Sequence, residues 1–149
     1  MVLSHLNFYQ TKKIRMIKIA KQLRAYFEKN NQNIDLPFIH KFPDSCCEVT
    51  TLALAFAISK NKLSCTYLVG KGYDRDNDIW HFWIEADGCI TDITADQFGK
   101  ELLFSSKDNW VHKKFADYEL IDPIKFVSSS NIFTENFEAF VRIVSSLKI

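Results

Sequence analysis

Three residues of this chain have the side chains that nucleophilic acyl transfer needs: the thiol of Cys47, the imidazole of His81 and the carboxylate of Asp92. In this chemistry a cysteine attacks as the thiolate and a histidine takes the proton and later returns it. The carboxylate orients the ring and stabilises its charged form. The three residues are far apart in the sequence, so they can act together only if a helix and a pair of strands bring them to one place.

A β-hairpin is predicted by the stretch HFWIEADGCITDIT, which runs from His81 to Thr94. Asp87-Gly88 lies between two runs of alternating apolar residues, which is a strong signal for a two-residue turn. Such a turn fixes the register of the two strands and places Ala86 opposite Cys89. Because side chains alternate along a strand, the turn also decides which of them share a face of the hairpin.

His81 and Asp92 share a face in this register, as diagonal neighbours within reach of a hydrogen bond. The same face is expected to carry Trp83, Glu85, Ile90 and Thr94, and the opposite face Phe82, Ile84, Cys89 and Ile93. A less specific interpretation stays open, in which His81 is a hydrogen-bonded core residue and Asp92 only caps the turn that begins at Thr94. No comparable partner in register is predicted for the remaining histidines, which are His5, His40 and His112.

The thiol is expected at the start of a helix. Ser45 and Glu48 have the S-x-x-E spacing of a capping box, and the following run VTTLALAFAISK is apolar on nearly every side. This predicts a central, buried helix with Ser45 as the N-cap, Cys46 at the first helical position and Cys47 at the second. The positive end of a helix favours a thiolate, although a cysteine there is also commonly a small buried apolar residue.

Two further helices are predicted, one on each side of this central region. Apolar residues recur at helical spacing from about Leu6 to Phe27, in the stripe Met16, Ile19, Ala20, Leu23 and Phe27. The segment NIFTENFEAFVRIVSSLKI repeats the pattern, with Asn131 or Ser130 as its expected cap. The first helix has seven basic residues and one acidic residue between Lys12 and Lys29, which indicates a solvated face or a patch for an acidic partner.

The remaining segments are predicted to be strands and connections. DLPFIHKFPDS is interpreted as an extended connector, LSCTYLVG as a strand and KGYDRDND as an exposed loop. ADQFGKELLFSS is expected to begin as a turn or short helix, and NWVHKKFADYELID to give one or two strands. The elements together indicate an α+β domain, in which the central helix packs on a small antiparallel sheet.

Composition is that of one globular domain over residues 1–149. The chain is 47% hydrophobic with a net charge of +1, which gives no general attraction to nucleic acid or to an anionic membrane. The four cysteines, Cys46, Cys47, Cys65 and Cys89, lack the spacing of a zinc site, so neither a metal nor another cofactor is predicted. Reduced thiols and the lack of a signal peptide or apolar span favour a cytoplasmic protein.

Two longer runs carry a resemblance to a known family. FPDSCCEVTTLALAF and HFWIEADGCITDITADQF resemble the Cys-His-Asp core of the transglutaminase-like branch of the papain-like superfamily. The similarity is greatest to small bacterial members with an FP-x-G-x-C-x-x-x-S helix start and an HAW-x-E and IDITADQF hairpin, and it covers roughly residues 42 to 98. Counted from Phe42-Pro43, the matching nucleophile is Cys47 rather than Cys46, with His81 as the base and Asp92 as the orienting acid.

The resemblance implies a papain-like core and a thiol-dependent amide acyl hydrolase, of the cysteine peptidase or amidase type, acting on a peptide or protein. Trp80, Trp83 and Gln97 are then the expected substrate-binding residues. Two alternatives stay open: a deamidase or transglutaminase that modifies another protein, as a toxin or effector does, and a non-catalytic binding or immunity module. The sequence departs from the pattern with Ser45 for a glycine, Glu48 for a small residue, Thr51 for a serine and Phe82 for an alanine.

Overall fold

The computed structural model describes residues 2–63 and 66–149, so Cys65 and part of the predicted strand LSCTYLVG lie outside the described residues. Within these residues the chain forms an α+β fold, as predicted. The helices are α1 (Val2–Asn30), α2 (Cys47–Lys60), α3 (Trp110–Lys114), α4 (Pro123–Ser128), α5 (Asn131–Glu135) and α6 (Phe137–Ser146). The strands are β1 (Leu68–Asp74), β2 (Ile79–Ala86), β3 (Cys89–Asp92), β4 (Leu103–Ser106) and β5 (Asp117–Ile121).

Helix α2 is the centre of the main core. Every residue from Val49 to Ile58 is buried, as its uniformly apolar sequence predicts. It packs on β2 and is surrounded by α1, α4, α5 and α6. The predicted apolar stripe of α1 is confirmed, because Met16, Ile19, Ala20, Leu23 and Phe27 are all buried in this core.

The five strands form one antiparallel sheet in the order β4-β3-β2-β1-β5. One face packs on α2 through Val69, Phe82, Ile84 and Ile93. The other face has a second, smaller core in which the short helix α3 covers the sheet, made of Trp83, Ile90, Leu103, Val111 and Phe115. The alternation predicted for the hairpin therefore places its two faces against two different hydrophobic cores.

The predicted hairpin is confirmed in its turn and register. Ala86 pairs with Cys89 and Ile84 with Thr91. Both turn residues have positive φ, 55° at Asp87 and 73° at Gly88, as a two-residue turn of the mirror-image type requires. The pairing of β2 with β3 ends at Ile84, so the first part of β2 lies beyond the end of β3.

The predicted capping box is wrong. Helix α2 begins at Cys47 with Cys46 as its N-cap, and the Cys46 side chain makes no capping hydrogen bond within the described part of the chain. Ser45 has a left-handed backbone with φ 59°, whereas a capping serine adopts an extended one. Burial of the Cys46 side chain in the core fixes this geometry, which moves the helix start one residue along and places Cys47 at the first helical position.

Other boundaries also differ from the predictions. KGYDRDND is not a loop throughout, because residues 71–74 continue β1 and pair with β2, and residues 71–73 also pair with β5. The connector before α2 contains a 3-10 turn at Ile39–Lys41, and NWVHKKFADYELID forms helix α3 and a single strand. The last predicted helix is two helices that meet at Asn136, and Ser130 does cap the first of them by accepting from the N–H of Phe133.

Helix α4 was not predicted, although the sequence contains a signal for it. The Asp122 side chain accepts from the N–H groups of Ile124 and Lys125, and Pro123 takes the first helical position. An N-cap aspartate followed by proline is a common helix start.

Among the described residues, no helix combines the length and the apolar composition needed to cross a membrane.

Candidate active site

A buried ion pair joins His81 of β2 to Asp92 at the end of β3. The Nε2 atom of His81 lies 2.6 Å from Oδ2 of Asp92, and both side chains are almost entirely inaccessible. The hairpin register explains the contact, because it places the two residues as diagonal neighbours on one face. Since a carboxylate accepts only, Nε2 carries the proton of this hydrogen bond.

The second oxygen of Asp92 holds the turn that follows β3. Its Oδ1 accepts from the backbone N–H of Thr94 at 3.1 Å and from the Thr94 hydroxyl at 3.3 Å. The Gln97 side-chain amide donates in turn to Oγ1 of Thr94 at 3.1 Å. Asp92 therefore contacts the His81 ring and the following turn at once, each through a different carboxylate oxygen.

Aromatic rings enclose the His81 imidazole on the sheet face that α3 covers. Phe98 meets it edge-on at 4.8 Å between centroids, Phe115 lies 5.0 Å away and Trp83 5.9 Å away. Two glycines of β1 make room for this layer. A Cβ at Gly70 would come within 2.1 Å of the Trp83 indole, and one at Gly72 within 2.5 Å of Phe115.

Cys47 meets the sheet at the part of β2 that extends beyond β3. Its thiol is half-buried and donates a long hydrogen bond, 3.9 Å, to the Trp80 carbonyl oxygen. The Nδ1 atom of His81 is buried and has no hydrogen-bond partner of normal geometry among the described residues. Because Nε2 is engaged by Asp92, the interaction that the thiol makes with His81 is directed at Nδ1.

The electrostatics of the site favour a protonated His81. Burial lowers the pKa of the imidazole, but the charge and hydrogen bond of Asp92 and the interaction with Cys47 outweigh burial and raise this pKa to about 9. At neutral pH the imidazolium is therefore the stable form of the ring. The charged ring therefore lies beside Cys47, the residue at the start of helix α2.

The two adjacent cysteines differ sharply. Cys46 is 1% exposed, packs in the main core and points away from solvent. Burial, together with the nearby Cys47 and Asp44, raises the pKa of Cys46 to about 12, which makes it a poor nucleophile at neutral pH. The position of Cys47 beside His81 distinguishes it from its neighbour on grounds independent of any resemblance.

An open pocket of about 480 Å³ gives access to Cys47. Trp80 and Gln97, two of the predicted substrate-binding residues, line it. The third does not: Trp83 is 1% exposed and belongs to the core beneath α3, where its indole N–H donates to Glu85. The assignment of Trp83 to a groove wall is wrong, because its side chain lies on the sheet face that α3 covers. There it stacks on the His81 ring.

Some parts of the site were missed from the sequence. Phe98 was noted only as the end of a motif, and Phe115 lies far along the chain, so neither contact with His81 had a local signal. His112 was expected to have no comparable partner, yet its Nε2 lies 2.9 Å from a carboxylate oxygen of Glu85.

Among the described residues, no group of three or more His, Cys, Asp or Glu side chains could hold a metal ion.

The chain was compared with protein families, curated proteins and solved structures. No protein-family model, curated protein or solved structure matches this chain. The functional assignment therefore depends on the arrangement of Cys47, His81 and Asp92.

Proposed function

We propose that the protein is a thiol-dependent amide acyl hydrolase, of cysteine peptidase or amidase type, that acts through Cys47, His81 and Asp92. One observation carries this proposal. His81 is fixed through Nε2 by a buried carboxylate 2.6 Å away, its Nδ1 atom has no hydrogen-bond partner of normal geometry among the described residues, and the ring interacts with the thiol of Cys47. A histidine with a purely structural role is more often hydrogen-bonded at both nitrogens when buried.

The acylation step follows from these positions. The Cys47 thiolate attacks the amide carbonyl carbon, and the carbonyl π electrons move to oxygen, which gives a tetrahedral intermediate. The intermediate collapses as the C–N bond breaks, and the imidazolium of His81 gives its Nδ1 proton to the departing amine. The products are a thioester on Cys47 and a neutral His81, which Asp92 keeps in the same tautomer and orientation.

Deacylation reverses the proton movement. His81, now neutral, takes a proton at Nδ1 from a water molecule while the water oxygen attacks the thioester carbon. When the C–S bond breaks, the sulfur leaves as the thiolate beside the imidazolium, which restores the starting pair. An amine in place of water would give transamidation, and a glutamine side chain as the acyl donor would give deamidation.

Two donors are assigned to the oxyanion. The backbone N–H of Cys47 is at the first helical position, where no carbonyl of the helix can accept from it. The side chain of Gln97 lines the same pocket, and one of its two amide N–H bonds remains after it donates to Thr94. Paired donors of this kind stabilise the developing negative charge on the carbonyl oxygen.

Alkylation of the four thiols by iodoacetamide, followed across pH by mass spectrometry, tests the proposal. Cys47 is expected to react faster than Cys46, Cys65 or Cys89 near neutral pH, and His81→Ala should remove that advantage. If Cys47 reacts no faster than the others and His81→Ala changes nothing, the catalytic proposal is wrong.

The reaction type is then identified with a peptide mixture and the Cys47→Ala protein as the control. Hydrolysis of the backbone gives fragments, deamidation or crosslinking gives a mass change without cleavage, and a binding module retains its ligand after Cys47→Ala. Only the first result supports the proposed peptidase activity, and the others identify the alternatives.

A further inference from the structure

The pocket that opens onto Cys47 has a pronounced charge. Its described lining includes three carboxylate residues, Asp44, Glu48 and Asp78, and no basic residue. The chain as a whole has 19 basic and 18 acidic residues, so this imbalance is local. The rest of the lining is mainly apolar and aromatic.

The three carboxylates surround the pocket from different elements. Asp44 is exposed in the segment before α2, and Asp78 is exposed in the turn between β1 and β2, where it accepts from the Tyr73 hydroxyl at 2.5 Å. Glu48 follows Cys47 directly and is half-buried; burial raises its pKa, and the nearby Lys71 acts against that rise. Lys71 offsets part of this charge, and the carboxylates of the lining still outnumber it.

Exposed aromatic rings add a second type of contact. Trp80 and Phe38 line the pocket and are 53% and 52% exposed, so both rings are open to a ligand. The Trp80 indole already attracts a cation, because the Lys71 ammonium lies 4.8 Å from its ring centroid. Carboxylates beside aromatic faces are the combination that binds ammonium and guanidinium groups.

A separate observation, on the His81 ring, indicates that a ligand is expected beside Cys47. The Nδ1 atom of His81 is buried and has no hydrogen-bond partner of normal geometry among the described residues, and His81 interacts with Cys47, which lines the pocket. A buried polar atom in this condition is destabilising unless another molecule completes its surroundings during function. Cys47 thus lies both in the lining of the acidic, aromatic pocket and beside the imidazole of His81.

We propose that this pocket selects a substrate with a cationic side chain, a lysine or arginine residue of a peptide, at the acyl group that Cys47 attacks. The proposal rests on the proposed acyl-transfer function of Cys47. In it, the alkyl part of the basic side chain lies along Trp80 and Phe38, and its charged end is placed between Asp44 and Asp78. The two carboxylates act as specificity determinants and take no part in the bond-breaking step.

Matched fluorogenic amides test the selectivity. The coumarin amides of acetyl-arginine and acetyl-citrulline have nearly the same shape and differ in charge. We expect kcat/KM to be at least about tenfold higher for the arginine substrate, as one partly desolvated charge contact provides. Asp44→Asn and Asp78→Asn should each lower that ratio, and the double variant should bring it close to one. Asp87→Asn, which removes an exposed carboxylate from the distant hairpin turn, is the control that should leave the ratio unchanged.

Equal rates for the two amides would overturn the selectivity and leave the hydrolase proposal intact. A result with no turnover is resolved by thiol reagents that need no catalysis. A methanethiosulfonate with an ammonium group should modify Cys47 at least about tenfold faster than one with a sulfonate, relative to the same ratio on a free cysteine peptide. Asp44→Asn should reduce this preference. A ratio equal to that of the free peptide would overturn the charge selectivity of the pocket whether or not the protein is an enzyme.

Discussion

Arg24 of α1 and Asp96 of the 3-10 turn after β3 form a two-pronged ion pair across the molecule. The Nη1 and Nη2 atoms of Arg24 donate to the two Asp96 oxygens at 2.8 and 2.7 Å, and Nη1 also donates to the Ile93 carbonyl at 2.7 Å. This arrangement ties the first helix to the segment that follows Asp92. It also accounts for a basic residue on the otherwise solvated face of α1.

Arg24→Lys is therefore expected to destabilise the protein although it keeps the charge. A lysine ammonium cannot make both bonds to the carboxylate together with the bond to Ile93, and a loss of roughly 2 kcal/mol of unfolding free energy is expected. Urea unfolding of the two proteins measures the difference. Arg142→Lys is the matched control, because Arg142 is 79% exposed and pairs only loosely with Glu138 at 3.8 Å; its midpoint should not move. An equal effect of both substitutions would contradict a special role for Arg24.

Gly70→Ala should be more damaging than an ordinary glycine substitution. Gly70 pairs directly with Trp83, and the added methyl group would lie 2.1 Å from the indole ring. The ring would have to leave its place beneath α3, where it supports His81, so a loss of about 3 kcal/mol is expected. Thermal unfolding measures it, and Trp fluorescence reports whether the indole moves. Gly88→Ala has open space around it and only an unfavourable φ, so it should cost about 1 kcal/mol.

The part of the fold predicted from the sequence is the part with local signals. The hairpin followed from Asp87-Gly88 and strict alternation, and this register was enough to place His81 beside Asp92. The central helix followed from its uniformly apolar sequence. In each case the signal lies within one short segment and does not depend on packing with distant residues.

The errors arose where packing decides the structure. The capping box failed because Cys46 is buried and takes the N-cap position, and no local rule describes that preference. Trp83 was predicted to bind substrate, but it fills the space left by Gly70 across the strand pair. The aromatic enclosure of His81 by Phe115 depends on a contact between distant parts of the chain, which no spacing in the sequence indicates.

Gln97→Ala tests the second oxyanion donor. If the Gln97 amide stabilises the tetrahedral intermediate, its removal should lower kcat by roughly a hundredfold with little change in KM. The assay is steady-state hydrolysis of the substrate found for the wild-type enzyme. Gln32→Ala, which removes a surface amide that donates to the His40 carbonyl, is the control. A change of less than about threefold for Gln97→Ala would assign Gln97 to positioning Thr94 alone.

The His81–Asp92 pair should make stability fall as the pH rises above neutrality. The pKa of His81 is about 9 in the folded protein and near its ordinary value of 6.5 in the unfolded chain, so between these values the folded state holds the extra proton. The contribution is fully present below about pH 6.5 and is lost as the pH passes 9, and it amounts to roughly 3 kcal/mol.

Urea midpoints measured from pH 6 to 9 test this dependence, below the range in which the Cys46 thiol also contributes, with Asp92→Asn as the comparison. The substitution removes the negative charge that does most to raise the pKa of His81, so its stability should depend much less on pH over this range. Cleavage should follow the same ionisation: the wild-type rate should decline above about pH 9 because a neutral imidazole has no proton to give the leaving amine. A wild-type midpoint that is flat from pH 6 to 9 would show that His81 is not protonated at neutral pH, and the first step would then need Cys47 to give up its proton during the attack.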